Sequence, residues 1–208
     1  MKSDFEFTTT RLLFRPFKRV DLHALYEAIT SSAPELSPWL VWCKDNYHPD
    51  DAYDWINASR QNWLNDIGYE LAIFDRHNLE FIGAISLNNV SQQLNSAELG
   101  YWIKTSCHQQ GFATEACRAM AAFAFNALGL TRLEIVVHTG NLASQRTALA
   151  CQAKFECTAR NRIYAQDKAC DGLVFSLIPE DLASDSLFDE KSGEAVQVNS
   201  ADRLQRKQ

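Results

Sequence analysis

Residues 96–138 constrain this chain more than any other stretch. They open with a period-two run in which Ala97, Leu99, Tyr101 and Ile103 share one face and Glu98, Gly100 and Trp102 share the other. That alternation predicts a half-buried strand. A loop containing Gly111 follows, then a helix rich in alanine and phenylalanine, predicted over about residues 111–128 with Gly129 as its stop signal. Residues 132–138 are apolar and β-branched and read as a second strand. Strand, helix and strand in this order make a crossover, which requires a sheet to leave and rejoin.

The flanking segments supply the rest of that sheet. A short strand is predicted at residues 12–17, and helical spacing places Val20, Leu22, Leu25, Tyr26 and Ile29 on one stripe. Pro34 and Pro38 read as breaks. A second helix starts at His48-Pro49-Asp50-Asp51, where proline suits the first turn and the aspartates suit the positive end of the dipole. It is expected to run to about residue 63 or 65. Residues 69–74 and 81–87 form a hairpin around the turn Asp75-Arg76-His77-Asn78. After the crossover, Asn141 caps a helix to about residue 152, and residues 155–163 and 173–178 read as the last strands. The expectation is an α/β (α+β) domain over residues 1–182, with a mixed sheet of about seven strands and about four helices on both faces. Residues 183–208 turn polar and aperiodic and read as a mobile tail.

Composition narrows the function classes. At 208 residues the chain suits a single core, and 46% apolar with 22% charged residues is ordinary globular composition. Its apolar runs fall short of the ~20 residues of a membrane span, and Met1-Lys2-Ser3-Asp4-Phe5 lacks a secretory pattern. The expected setting is cytoplasmic, with the six cysteines reduced. None of them forms a C-x-x-C pair, so no metal site is expected. Twenty-six acidic residues against 20 basic, a net charge of −6, argue against nucleic-acid binding by bulk charge.

Chemistry concentrates in His108-Gln109-Gln110-Gly111-Phe112-Ala113-Thr114, between the strand and the long helix. Gly111 and Ala113 are small enough for a ligand to approach the backbone. The helix N-terminus offers outward N–H groups and a favourable potential for a diphosphate. Neither the P-loop pattern nor G-x-G-x-x-G is present. On spacing alone, an ordinary helix start and a phosphate loop both remain open.

The element order, with Glu98-Leu99-Gly100-Tyr101-Trp102-Ile103 before the loop and Asn141-Leu142-Ala143-Ser144 after the next strand, resembles the GNAT acetyltransferase superfamily. The resemblance covers about residues 9–182. The superfamily loop reads Q/R-x-x-G-x-G/A, and here His108 stands at the Q/R position, Gly111 at the glycine and Ala113 at the final small residue. His108 departs from the pattern, and would fulfil it through its backbone N–H. Thr10-Arg11-Leu12-x-Phe14-Arg15, Pro38-Trp39-Leu40-Val41-Trp42 and Gly111-Phe112-Ala113-Thr114-Glu115-Ala116 are similar to the RimJ/RimL-type ribosomal-protein N-terminal acetyltransferases. Lys154, before Phe155, stands where those proteins usually have glycine.

The resemblance implies acetyl-CoA as co-substrate and no metal. It implies that the pantetheine arm lies between two splayed strands, pairing with backbone near Trp102, Ile103 and Lys104, with the diphosphate on the loop from His108, Gln109, Gln110 and Gly111 to Phe112, Ala113 and Thr114. Glu98 is the candidate base for the attacking amine, directly or through water. Ser144 is the candidate acid for the leaving thiolate, with Tyr164 in reserve, and Asn141 is a candidate for the pantetheine amide. The plainer roles for these residues are a solvent-facing glutamate, a first-turn serine and an N-cap. Trp39 and Trp42 are assigned to the acceptor groove, and Trp55 and Trp63 to the core. The family includes dimers, which leaves a homodimer open. Three functions stand at this stage: N-terminal acetylation of a ribosomal protein, acetylation of a small amine such as a polyamine, amino sugar or aminoglycoside, and non-catalytic acyl-CoA binding.

Overall fold

The computed structural model describes residues 5–44, 46–165 and 167–182; the predicted tail at 183–208 lies outside them. Eight strands among these residues form one sheet: β1 (Phe7–Thr8), β2 (Leu12–Pro16), β3 (Tyr69–Asp75), β4 (Phe81–Ser91), β5 (Ser96–Ile103), β6 (Arg132–His138), β7 (Lys154–Ala165) and β8 (Lys168–Leu177). Their spatial order is β1-β2-β3-β4-β5-β6-β8-β7. Only the β5–β6 neighbours, joined by the crossover, run parallel. The helices are α1 (Leu22–Leu36), α2 (Pro49–Leu64), α3 (Phe112–Asn126), α4 (Leu142–Ala150) and the short α5 (Pro179–Leu182). No helix among the described residues is long and apolar enough to cross a membrane.

In the central strands the period-two pattern assigns buried residues to one of two cores. Tyr69, Leu71 and Ile73 of β3, with Leu99 and Ile103 of β5, pack with the α3 residues Met120 and Phe123. Ala72 and Phe74 of β3, Ala84 of β4 and Trp102 of β5 pack instead with Leu25 and Ile29 of α1 and Ile56 of α2. The sheet is therefore covered on both sides, as the crossover requires. The expected break at Pro34 does not occur: α1 continues to Leu36. Proline removes one helical N–H, but Leu36 is buried in the same core as Leu25 and Ile29, and that burial carries the helix one turn further. Gly129, at φ +72°, stops α3 as its sequence predicts.

Strands β4 and β5 approach unusually closely at Gly83, which faces Ile103. A Cβ on Gly83 would fall 2.2 Å from the Trp102 carbonyl oxygen and 2.9 Å from the Ile103 Cα. Both neighbours are backbone and cannot swing aside, so only glycine fits behind the end of β5. Gly83→Ala is expected to cost about 2–3 kcal/mol, a drop of roughly 5–10 °C in melting temperature. A thermal melt checks this.

Candidate active site

Strands β5 and β6 pair at three positions, Ser96–Arg132, Ala97–Leu133 and Glu98–Glu134. Beyond these they diverge, although β5 stays paired with β4 to Ile103 and β6 stays paired with β8 to His138. The parted edges border a cleft of about 790 Å³. Trp39, Glu98, Trp102, Ile103, His108, Gln109, Gly111, Phe112, Ala113, Thr114, Asn141 and Ser144 all line it, so the structure gathers most of the residues predicted from sequence around one space.

The loop at the open end is built from strained and braced backbone. Gln109 has φ +60° and Gly111, the N-cap of α3, has φ +79°. The first bond of the helix runs from the Glu115 N–H to the Gly111 carbonyl at 3.1 Å. The N–H groups of Phe112, Ala113 and Thr114 precede it and face out of the helix end, where the dipole favours an anion. Arg11 clamps this turn. Its Nε donates to Glu115 Oε2 at 2.6 Å, its Nη1 donates to the Gln110 carbonyl at 2.9 Å, and its guanidinium lies 4.6 Å from the Phe112 ring centre. The Thr9 hydroxyl donates to the other Glu115 oxygen at 2.6 Å. Sequence reading gave Arg11 no role of its own, because its partners are about a hundred residues away.

Three expectations for the loop need correction. The His108 backbone N–H donates to the Thr105 carbonyl at 3.1 Å, and its ring Nε2 sits 2.7 Å from the Ile103 carbonyl. His108 therefore braces the end of β5, and its N–H is already used. The Lys104 N–H donates to Ile82 of β4, its ammonium pairs with Glu80, and it does not line the cleft. Gln110 also lies outside, held by Arg11 at its carbonyl and bonded through its side chain to the Ser106 carbonyl. The other departure, Lys154, pairs with Asp181 at 2.8 Å and ties the start of β7 to α5.

The opposite wall is the start of α4. Asn141 Oδ1 accepts from the Ser144 N–H at 3.0 Å, which is the expected cap, and the Asn141 amide keeps two donors. The Tyr101 hydroxyl lies 2.9 Å from Ser144 Oγ and donates to the Ser144 carbonyl at 3.2 Å. Burial pushes the Tyr101 phenol far above its ordinary pKa, so it stays protonated. Tyr101 thus bridges β5 to α4 across the splay; its alternation had marked it only as a core-facing residue. Glu98 is held by Arg162, whose Nη2 is 2.5 Å from Glu98 Oε1 and 3.8 Å from Glu134. An irregularity in β7 between Ala159 and Ile163 brings Arg162 over the cleft. Tyr164 is exposed and lines neither cavity.

A second cavity, of about 470 Å³, lies against the other face of β5, under α1 and α2. Trp42, Tyr47, Trp55 and Trp102 wall it. Trp55 is therefore not simply core: one side meets Phe17 edge-on at 4.7 Å and it also lines this cavity. Trp39 belongs to the first cleft, 5.4 Å from the His138 ring. Burial and Asp51 push the Tyr47 phenol up to about 12, keeping it a donor. Gly100, Tyr101 and Trp102 border both cavities, so the two meet across a single strand. Glu70 stands in the same cross-strand row as Ser86 and Gly100. It is only 8% exposed. Asn62 donates to its Oε1 at 2.8 Å, while its Oε2 is buried without a partner among the described residues. Burial raises its pKa. Among the described residues, no His, Cys, Asp and Glu side chains gather into a group that could hold a metal.

Comparison with known proteins agrees with this geometry. Residues 11–154 match the family model for the acetyltransferase (GNAT) domain. The uncharacterized N-acetyltransferase YoaA of Bacillus subtilis (strain 168) is 33% identical over 82% of this chain and 94% of its own. YdaF of the same organism, provisionally assigned as a ribosomal N-acetyltransferase, is 29% identical over 83% of this chain and 92% of its own. A Vibrio cholerae structure, provisionally assigned as a ribosomal-protein-serine acetyltransferase, superposes with a TM-score of 0.75 at 34% identity, covering 86% of this chain and 100% of that one.

An acid whose pKa is raised on folding costs stability wherever it is ionised. For Glu70 the cost is complete above its folded pKa and disappears below the ordinary value of 4.5. Glu70→Gln is expected to raise the melting temperature at pH 7 by a few degrees, about 1 kcal/mol, with the gain vanishing as the pH falls toward 4. Parallel melts of the two proteins across that range check it.

Proposed function

Since the chain belongs to the acetyltransferase (GNAT) family, we propose that its acceptor is the N-terminal α-amine of a ribosomal protein, of the serine type. The protein is an acetyl-CoA-dependent N-acetyltransferase. The acceptor assignment draws support from the Vibrio cholerae relative, assigned to ribosomal-protein serine acetylation. The observation that carries the reading is the meeting of two cavities at Gly100, Tyr101 and Trp102, a donor cleft on one side and an aromatic-walled cavity on the other. An extended N-terminus needs such a wall, apolar with a few polar groups. A cytoplasmic site of action fits both substrates.

The residues present fit acetyl-CoA. The parted strand edges offer backbone groups for the pantetheine amides near Trp102 and Ile103, the α3 N-terminus suits the diphosphate, and Arg146 adds a cation to the cleft lining. The bound thioester supplies an activated acetyl group whose carbon–sulfur bond breaks as the carbon–nitrogen bond forms. A backbone N–H of the β5 edge beyond Glu98 is the proposed donor to the developing oxyanion. A protein α-amine has a pKa near ~8, so its proton must be removed only in part near neutrality. Glu98 is the proposed base, acting through the oxygen that Arg162 does not hold. Ser144, hydrogen-bonded to Tyr101 at the positive end of α4, is the proposed donor to the departing thiolate. A peptide beginning with serine, tested beside spermidine and an aminoglycoside, decides the acceptor class.

Calorimetry is expected to show acetyl-CoA binding at micromolar affinity, about −8 kcal/mol. Glu98→Gln is expected to lower kcat at neutral pH ~10²-fold while leaving that affinity in place. A loss of less than about twofold removes Glu98 from the role of base.

A further inference from the structure

We propose that Glu70 forms a second-cation subsite within the acceptor cavity. It would select acceptors that carry a lysine or arginine side chain one or two residues after the acetylated terminus. This rests on the reading of that cavity as the acceptor site.

The buried carboxylate has a requirement that the described residues do not meet. Oε1 is satisfied by Asn62 at 2.8 Å, while Oε2 is buried without a partner among the described residues. A buried carboxylate oxygen left unpaired is costly, and a cationic N–H donor is the strongest complement to it. The cavity that Glu70 lines is chemically suited to supply one. Asp51 and Asp54 also line it, against the single cation Lys44. Its walls are the rings of Trp42, Tyr47, Trp55 and Trp102, whose faces attract an ammonium or guanidinium.

Register fixes how far this subsite lies from the chemistry. Glu70 pairs with Ser86, and Ser86 pairs with Gly100, so Glu70 stands two strands from the point where the cavities meet. Two strand spacings are about 10 Å. A group reacting over Gly100 is therefore beyond direct reach of Glu70, and the carboxylate meets a different group of the same acceptor. An α-amine and the side-chain cation of the next residue or two are separated by about that distance, since one extended residue spans ~3.4 Å and a lysine or arginine side chain adds the remainder.

The test compares kcat/KM for two acceptor peptides, one beginning Ser-Lys and the other Ser-norleucine, which has a neutral side chain. The wild-type protein is expected to favour the lysine peptide by about tenfold or more. In Glu70→Gln the preference is expected to fall to within about twofold, with calorimetric acetyl-CoA binding as the folding control. Asp54→Asn, which changes an exposed acid of the same cavity, is expected to retain most of the preference and separates a defined subsite from general acidity. Equal rates for both peptides in the wild type overturn the proposal without any variant. A preference that survives in Glu70→Gln, or disappears equally in Asp54→Asn, also overturns it. If neither peptide is acetylated, the ribosomal-protein reading fails by itself. The subsite is then tested with a linear diamine against the monoamine of equal length, where loss of the diamine preference in Glu70→Gln supports it and no preference in the wild type overturns it.

Discussion

The edges of β5 and β6 beyond Glu98 and Glu134 face each other without touching, and the rest of the domain is arranged around that separation. Unpaired backbone groups inside a protein cost about 1–3 kcal/mol each unless something else bonds them. A sheet left to itself would close the gap. Here the outer edges of both strands are fully committed, β5 to β4 and β6 to β8, so neither can rotate back. The starts of α3 and α4 occupy the open end and fix its width. Tyr101 to Ser144 on one side and Arg162 to Glu98 on the other span the opening without filling it. The parted edges leave backbone donors and acceptors of β5 and β6 facing the cleft.

Two carboxylates of opposite character lie on one face of this sheet. Glu98 lies at the last paired position and is matched by Arg162, a guanidinium carried in by the irregularity in β7. Glu70 lies two strands away on the same face of the sheet, buried, held at one oxygen by an uncharged amide. Alternation puts both on the face covered by α1 and α2, but tertiary packing gives one a cation and leaves the other without one. That difference comes from tertiary packing rather than from local sequence.

The periodicity of residues 96–138 made the crossover legible, because alternation, a glycine stop and a β-branched run are local properties of the chain. β5 and β6 have the bounds their sequence predicts, and the Asn141 cap is where a first-turn preference puts it. Pro34 misled because a local rule met a nonlocal gain, the burial of Leu36. The site was legible where it follows from a helix N-terminus and a small residue, as at Gly111 and Ala113. It was not legible where a side chain's role depends on a distant partner. Nothing near Arg11 in sequence announces Glu115, and nothing near Glu70 announces Asn62 as its side-chain partner. His108 belongs to the same class: its departure from the expected pattern is absorbed by two carbonyls of its own turn and strand.

Gly100 borders both cavities and has no side chain to obstruct either. A Cβ there would press within 3.2 Å of Ser86 Oγ and 3.3 Å of Asn88 Nδ2, toward the second cavity. With that position bare, no side chain stands between the two cavities at this strand, and under the proposed function donor and acceptor would each enter by its own. In kinetic terms, such an architecture does not impose an order of addition. On the proposed reading, either partner can load first, transfer takes place within a ternary complex, and the acetyl group need not be parked on the protein between one substrate's departure and the next one's arrival.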